Sequence, residues 1–166
     1  MSKWLFRAVL LALLWLAILQ WGLPLVSPRS VSLPLLQRNY VMMAYGCALI
    51  AGINPLLFER QIWQESSFQP DEVSSAGAQG IAQLMPVMSH GLGVNALDPG
   101  SSLCAAARLM SSYLRLYGSY PKALAAYNAG SGRLSWAVRM GGDRWCAWLP
   151  SETQQYIVNI LEQPCF

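Results

Sequence analysis

The sequence has 166 residues, with eleven basic and eight acidic side chains, a single histidine and a formal net charge of +3. That length holds one domain, and the nine arginines and two lysines are scattered without a block or stripe, which argues against a nucleic-acid-binding surface. Much of the 54% hydrophobic content lies in one N-terminal stretch, so the remainder has the composition of an ordinary soluble domain with a modest core.

Lys3 and Arg7 precede AVLLALLWLAIL, residues 8 to 19, and the apolar run resumes after Gln20 to end near residue 26. A spanning helix needs roughly 20 mostly apolar residues, so residues 1–26 read as a membrane anchor or signal segment. The order of basic, apolar and polar regions suits a signal peptide, but VSPRS offers no small-x-small cleavage pattern and Pro28 crowds the bond. An uncleaved N-terminal hydrophobic helix is therefore favoured, with the bulk of the chain exported and the basic end left in the cytoplasm. This gives an expected location in the periplasm, either anchored at the periplasmic face of the inner membrane or released. No cysteine sits just after the apolar run, so a lipid anchor is not expected there. Residues 27–38 read as a short linker containing prolines and serines, and residues 39–166 as the domain.

Within the domain the first predicted helix covers NYVMMAYGCALIA and stops at Gly52. The second runs from about Pro55 to Phe68, with Asn54 able to cap it and Pro55 in the favoured first position. At about 100° per residue Phe58, Ile62 and Glu65 share one face, which aims an acid along an apolar stripe. Residues 69–80 are loop-like, with Gly77 and Gly80 as breaks and room for a small hairpin. A short helix interrupted at Pro86 follows. SSLCAAARLMSSYLRLYG then places Leu103, Ala107, Met110, Leu114 and Tyr117 on one face and stops at Gly118. YPKALAAYNAG, opening with Pro121 and closing at Gly130, and GRLSWAVRM add two shorter helices. The last, SETQQYIVNILEQ, pairs Ser151 with Gln154 in a capping-box pattern and buries Tyr156, Ile157, Ile160 and Leu161. The fold class is mainly α: a compact helical domain with a small loop or hairpin region.

Cys47, Cys104, Cys146 and Cys165 show no CxxC or Cys/His spacing, and His90 reads as an exposed helix-end residue, so no metal site is expected. In an oxidising compartment four cysteines allow three pairings. Cys47 with Cys104 and Cys146 with Cys165 is the favoured one, because the second bridge would staple the last helix to the loop before it.

A partly buried acid such as Glu65 usually pairs with an arginine or caps a backbone. The sequence after it points elsewhere. Two glycines flank Ala78 and Gln79, followed by Gln83 and Met85, a composition suited to backbone that approaches a ligand closely. A carboxyl on an apolar face beside such a loop has its charged form disfavoured, which prepares it to donate a proton near neutral pH.

Four segments in order carry a family resemblance. ES at 65–66, GAQGIAQLMP at 77–86, AYNAG at 126–130 and ETQQYIV at 152–158 resemble the successive motifs of the lytic transglycosylases. These are the soluble-lytic-transglycosylase-like members of the lysozyme-like superfamily, and the similarity runs from about residue 44 to 162. The resemblance implies an α+β lysozyme-like fold and the glycan strand of peptidoglycan as substrate, cleaved between N-acetylmuramic acid and N-acetylglucosamine without a cofactor. By the same match Glu65 is the single acid/base. Ser66, Gln83 and Met85 border the saccharide groove, with backbone near Gly77 and Gly80. Tyr127 orients the sugar or the carboxyl, Asn128 supports a turn, and Glu152 stands near the site or binds sugar. Ser131, where the family often has proline, and Ala82, where methionine is frequent, depart from the pattern and alter groove shape more than chemistry.

A retaining or inverting glycosidase needs two carboxyls about 5 to 9.5 Å apart. Asp71 and Glu72 read as solvated loop residues, Asp98 as a turn or helix cap before Pro99, and Glu152 as the serious rival, with a helix-dipole role of its own. With one acid the expected reaction is intramolecular: Glu65 protonates the glycosidic oxygen, then acts as base while the sugar's own sixth-carbon hydroxyl closes an anhydro ring. The alternatives are a muramidase using water on the same fold, and an inactive peptidoglycan-binding module that docks a secretion or phage assembly onto the wall. Trp63 reads as core behind Glu65, and Trp136, Trp145 and Trp148 as core or groove rim.

Overall fold

The computed structural model describes residues 34–165, and the expectations for the N-terminal hydrophobic helix and most of the linker lie outside them. The first helix, α1 (Leu35–Ala51), starts four residues before the expected position 39, so the last stretch assigned to the linker is helical. Pro34 explains the early start: at φ −51° and ψ 149° it stands in extended geometry just ahead of the helix, where its missing N–H costs nothing. Gly52 ends α1 at φ 70°, its N–H turned back to the carbonyls of Ala48 and Leu49.

Helix α2 (Pro55–Ser66) opens as the sequence predicts, with Asn54 Oδ1 accepting from the N–H groups of Leu56 and Leu57 at 2.9 and 3.2 Å. It ends two residues earlier than expected because Ser67 and Phe68 both turn left-handed, at φ 51° and 61°. Two such residues in a row are strained for side chains with a Cβ. Burial of Phe68, whose exposure is zero, compensates by driving its ring into the core. Trp63, expected in the core, is only partly buried and meets Phe68 at 6.5 Å between ring centroids.

Residues 67–85 form an irregular loop in which two isolated antiparallel bridges, Val73 with Gln79 and Gln79 with Leu84, take the place of a hairpin. After it come α3 (Pro86–Gly91), α4 (Pro99–Tyr117), α5 (Tyr120–Ala129), α6 (Ser131–Gly141), a 3-10 segment (Gly142–Trp148) and α7 (Ser151–Leu161). Asp98 caps α4 through Ser101 N–H at 2.9 Å, as its plain reading required. The capping box at Ser151 does not form. Pro150 is the capping residue, and the Gln154 side chain instead donates to the Leu149 carbonyl at 2.8 Å.

The architecture is mainly helical. α1 packs on α4 and α2, while α5 lies against α4, α6 and α7. The buried run Ala123–Leu124–Ala125–Ala126 lets these neighbours approach α5 closely, since three of the four side chains are methyl groups. Phe58, Ile62, Phe68, Ile81, Leu103, Met110, Leu134, Ile157 and Ile160 fill the core. α7 packs on both α2 and α5, the contact that assembles the site.

Both favoured disulfides form: Cys47–Cys104 joins α1 to α4, and Cys146–Cys165 ties the chain beyond α7 to the 3-10 segment before it. Trp145 is buried, whereas Trp136 and Trp148 meet edge to face at 5.8 Å on the surface.

Gly80 is the position where the loop meets the body most tightly. At φ 73° it favours glycine, and a Cβ there would stand 1.9 Å from the Ala96 carbonyl oxygen. Gly80→Ala is expected to lower stability by roughly 2–4 kcal/mol, combining backbone strain with overpacking against main chain. Urea unfolding of the two proteins measures it, and a change under 1 kcal/mol would contradict this account of the loop.

Candidate active site

Glu65 lies in the last turn of α2, and a cleft of about 500 Å³ opens in front of its side chain. The walls come from four places: Gln64 of α2, Ser74, Ala76, Ala78, Gln83 and Met85 of the loop, Tyr127 and Asn128 of α5, and Glu152, Gln155, Tyr156 and Asn159 of α7. Its size falls within the range of small-molecule and saccharide sites.

Among the described residues no base pairs with Glu65. Among the described residues the ion pair joins Arg60 to Glu162, at 3.1 Å. The Glu65 carboxyl instead accepts a short hydrogen bond from the Tyr156 hydroxyl through Oε1. The residue as a whole keeps partial exposure, but the carboxyl group itself is enclosed. Burial pushes its pKa up from 4.5 to about 8, and the Tyr156 hydrogen bond works in the opposite direction by favouring the anion. Glu65 thus remains protonated at neutral pH while keeping a partner that can stabilise its ionised form. That is the balance a group needs to give a proton and later take one back.

The other cleft residues are held by a set of cross-links. Tyr127 donates to the Ala82 carbonyl at 2.7 Å, fixing the loop to α5. Burial, then the neighbouring Glu65 charge, raises the Tyr127 pKa well above its ordinary value, so it stays a donor. Gln83 sits at φ 48° and spends its Nε2 on the carbonyls of Gly80 and Glu72, at 2.9 and 3.1 Å. Asn128 Oδ1 accepts from the buried Thr153 hydroxyl at 2.7 Å, which joins the end of α5 to the first turn of α7. Met85 is 43% exposed at the lip, and Glu152 is an exposed wall residue.

Three expected groove residues do not line the cleft. Ser66 is buried and donates to the Ile81 carbonyl at 2.7 Å, so its hydroxyl secures the loop behind the acid. Gly77, at φ 86°, closes a turn whose N–H bonds to Ser74 O at 2.9 Å, and Gly80 packs under Ala96. The loop residues that face the cleft are instead Ser74, Ala76 and Ala78. Asp71 and Glu72 are exposed and outside the cleft walls, as their solvated reading required.

Sequence reasoning missed Tyr156 as a site residue because it fits the apolar face of α7, where it is indeed 5% exposed. The available signal was its hydroxyl, since a buried tyrosine needs a hydrogen-bond partner. Gln61, fully buried one turn before Glu65, stands beside the same hydroxyl, and its Nε2 makes no well-formed hydrogen bond. A polar rim was also missed. Gln155 donates to Asn159 at 2.7 Å and Asn159 to Gln64 at 3.1 Å, linking α7 to α2 across the cleft edge.

The helical domain thus presents one enclosed, protonated carboxyl in an open polar cleft, a group placed to donate a proton. The chain belongs to the transglycosylase SLT domain family, whose model matches residues 47–144. It is 36% identical over 88 residues to "Transglycosylase" of Enterobacteria phage PRD1, covering 52% of this chain and 33% of that protein. It is 32% identical over 111 residues to membrane-bound lytic murein transglycosylase D of Escherichia coli, covering 58% of this chain and 25% of that one. The chain therefore spans between a quarter and a third of the curated relatives it matches. Among solved structures, an inactive glutamate-to-glutamine form of lytic transglycosylase Slt from Pseudomonas aeruginosa superposes with a TM-score of 0.62. That match has 26% identity and covers 77% of this chain and 23% of the other. The 70 kDa soluble lytic transglycosylase of Escherichia coli gives a TM-score of 0.55 at 26% identity, over 66% of this chain and 21% of that one.

Two outcomes follow from the carboxyl's setting. With a folded-state pKa of about 8 against an ordinary 4.5, Glu65 is protonated in both states at acid pH, and the unfolded chain ionises first as pH rises. Stability is therefore fully present below about pH 4.5 and drains away up to about pH 8. Glu65→Gln removes that dependence, so the melting temperatures of the two proteins should diverge in favour of the variant between pH 5 and about pH 8. Parallel melting curves across this range would count against the enclosed acid. In Tyr156→Phe the carboxyl loses the bond that favours its anion, so its titration midpoint, followed by NMR of labelled glutamate, should move above that of the parent. A downward move would mean that Tyr156 does not act on Glu65.

Proposed function

We propose that this protein is a peptidoglycan lytic transglycosylase, cleaving the bond between N-acetylmuramic acid and N-acetylglucosamine and leaving an anhydro-muramoyl end. The single observation that carries this reading is that Glu65 is the one enclosed carboxyl in the cleft, held by Tyr156 and without a paired base among the described residues. A glycosidase that hydrolyses through two carboxyls needs its second one facing the same bond. In the cleft the other carboxyl is Glu152, exposed in the first turn of α7 rather than enclosed beside Glu65. Glu65 then serves twice. As an acid it protonates the leaving glycosidic oxygen, while the muramoyl acetamido group supports the developing positive charge. As a carboxylate, steadied by the Tyr156 hydroxyl, it removes the proton of the sixth-carbon hydroxyl as that oxygen closes on the anomeric carbon. No water is consumed, and the proton count balances over the cycle.

Tyr127 and Asn128 keep α5, the loop and α7 in register, and Gln83, Met85 and the Gln64–Asn159–Gln155 rim supply the surface for the sugar chain. The names of the relatives support the reaction and a wall substrate, and an inactive glutamate-to-glutamine form of one of them fits an essential acid. The N-terminal apolar run supports an exported domain held at the periplasmic face of the inner membrane. A phage setting is consistent with the phage relative. A muramidase is the second reading, with Glu152 directing water.

Mass spectrometry of purified peptidoglycan treated with the full chain separates the two. Fragments ending in anhydro-muramic acid are expected, one water lighter than reducing ends, with Glu65→Gln releasing at least about a hundredfold less. Reducing ends instead would assign the muramidase and shift attention to Glu152. No release by a folded protein would leave a wall-binding module.

A further inference from the structure

Helix α1 breaks the rule for a surface helix. Its inner face is buried through Val41, Ala44, Tyr45, Cys47 and Ala48, yet the outer face is apolar too. Leu35, Leu36, Met42, Met43, Leu49 and Ile50 are 78%, 60%, 58%, 39%, 66% and 88% exposed. They recur as adjacent pairs every seven residues, which at 100° per residue confines them to one arc of about 140°. Together they present on the order of 600 Å² of apolar surface, at the upper end of what a free monomer leaves in one patch. Exposed Asn39 interrupts the arc, but a helix with large apolar side chains on both faces is ordinarily covered on both.

What covers it is argued from the rest of the chain. α1 holds no acidic residue, and its one charged side chain, Arg38, is exposed beside the stripe, so no negative charge opposes an anionic lipid surface there. The sequence places an apolar run, residues 8 to 26 behind Lys3 and Arg7, only eight residues before Leu35. Eight extended residues reach at most about 28 Å, so a chain anchored by that run keeps α1 within a domain's width of the bilayer. None of the cleft walls comes from α1, so covering this face leaves the Glu65 site open. We propose that the outer face of α1 lies on the membrane surface, with its leucine, methionine and isoleucine side chains among the lipid headgroups and upper acyl chains. The anchor then tethers the domain and α1 sets its orientation, which fixes the direction in which the cleft meets the wall. This inference rests on the anchored reading proposed above, and it extends that reading from a tether to an oriented surface.

The test uses the full chain in vesicles of phosphatidylethanolamine and phosphatidylglycerol. An environment-sensitive fluorophore is placed at Met43→Cys, at Ile50→Cys or, as control, at Arg139→Cys on α6. With lipids carrying a quencher near the headgroup, the labels at 43 and 50 should be blue-shifted and lose roughly half their emission, while the label at 139 keeps a water-like spectrum. Water-like, unquenched emission at 43 and 50 would overturn the proposal. So would a blue shift without lipid quenching but with energy transfer between labelled copies, which would assign the face to a second copy of the chain, seated at Gly46, where a Cβ meets nothing within 4 Å. Flotation of the same vesicles reports separately whether the chain is anchored. Neither readout requires glycan cleavage, so failure of the transglycosylase reading and failure of this one remain distinguishable.

Discussion

The contact on which the site depends is the hydrogen bond from Tyr156 to Glu65, made where α7 crosses the end of α2. It joins residues 91 positions apart, so nothing in the local sequence of either helix supplies it. Both groups are enclosed there, and each needs the other. An unpaired carboxyl or phenol in that position would carry the full desolvation penalty. The rest of the domain holds this crossing in place. Asn128 grips Thr153 in the first turn of α7, Tyr127 grips the loop at Ala82, and Ser66 grips the same loop at Ile81. These bonds meet around one carboxyl from the body, the loop and the last helix.

The setting stores free energy in a useful form. Burial alone would leave Glu65 a poor acid, because the anion it must become would be too unstable to form during a reaction. The Tyr156 donor moderates that penalty without cancelling it, and the pKa of about 8 is the net result. A nearby arginine would remove the acid by holding the carboxylate ionised, so the absence of a paired base at Glu65 matters as much as the bond that is present. Such a site is expected to be less stable than one with an isosteric amide, the usual relation between function and stability.

The disulfides and the glycine at position 80 support this arrangement from outside. Cys47–Cys104 closes a loop of 57 residues that contains α2 and the whole irregular segment. A bridge across so long a loop disfavours the unfolded chain and keeps α1 against α4 while residues 67–85 lack regular structure of their own. Cys146–Cys165 does the same for α7, whose C-terminal end would otherwise be free to fray away from the site. Gly80 lets the loop press its main chain onto Ala96, which brings Gln83 and Met85 to the cleft.

The sequence by itself determined the helices whose ends carry strong local signals. Asn54 and Pro55 start α2, Asp98 and Pro99 start α4, and Gly52 and Gly118 stop α1 and α4, because capping and glycine geometry act over three or four residues. The acid was legible for the same reason, as a polar residue out of place on an apolar stripe, and the motifs around it pointed to the family to which the chain belongs. Tertiary structure decided the rest. It turned Ser66, Gly77 and Gly80 away from the groove and into loop-building, replaced the expected capping box at Ser151 by the Pro150 start, and recruited Tyr156 from the core to the carboxyl. It also left the outer face of α1 without a cover inside the domain. Hydrophobic periodicity marks a side chain as inward-facing, but it cannot name the partner that waits there. That partner depends on which distant helix crosses at that point, and the crossing is fixed by packing of the whole core.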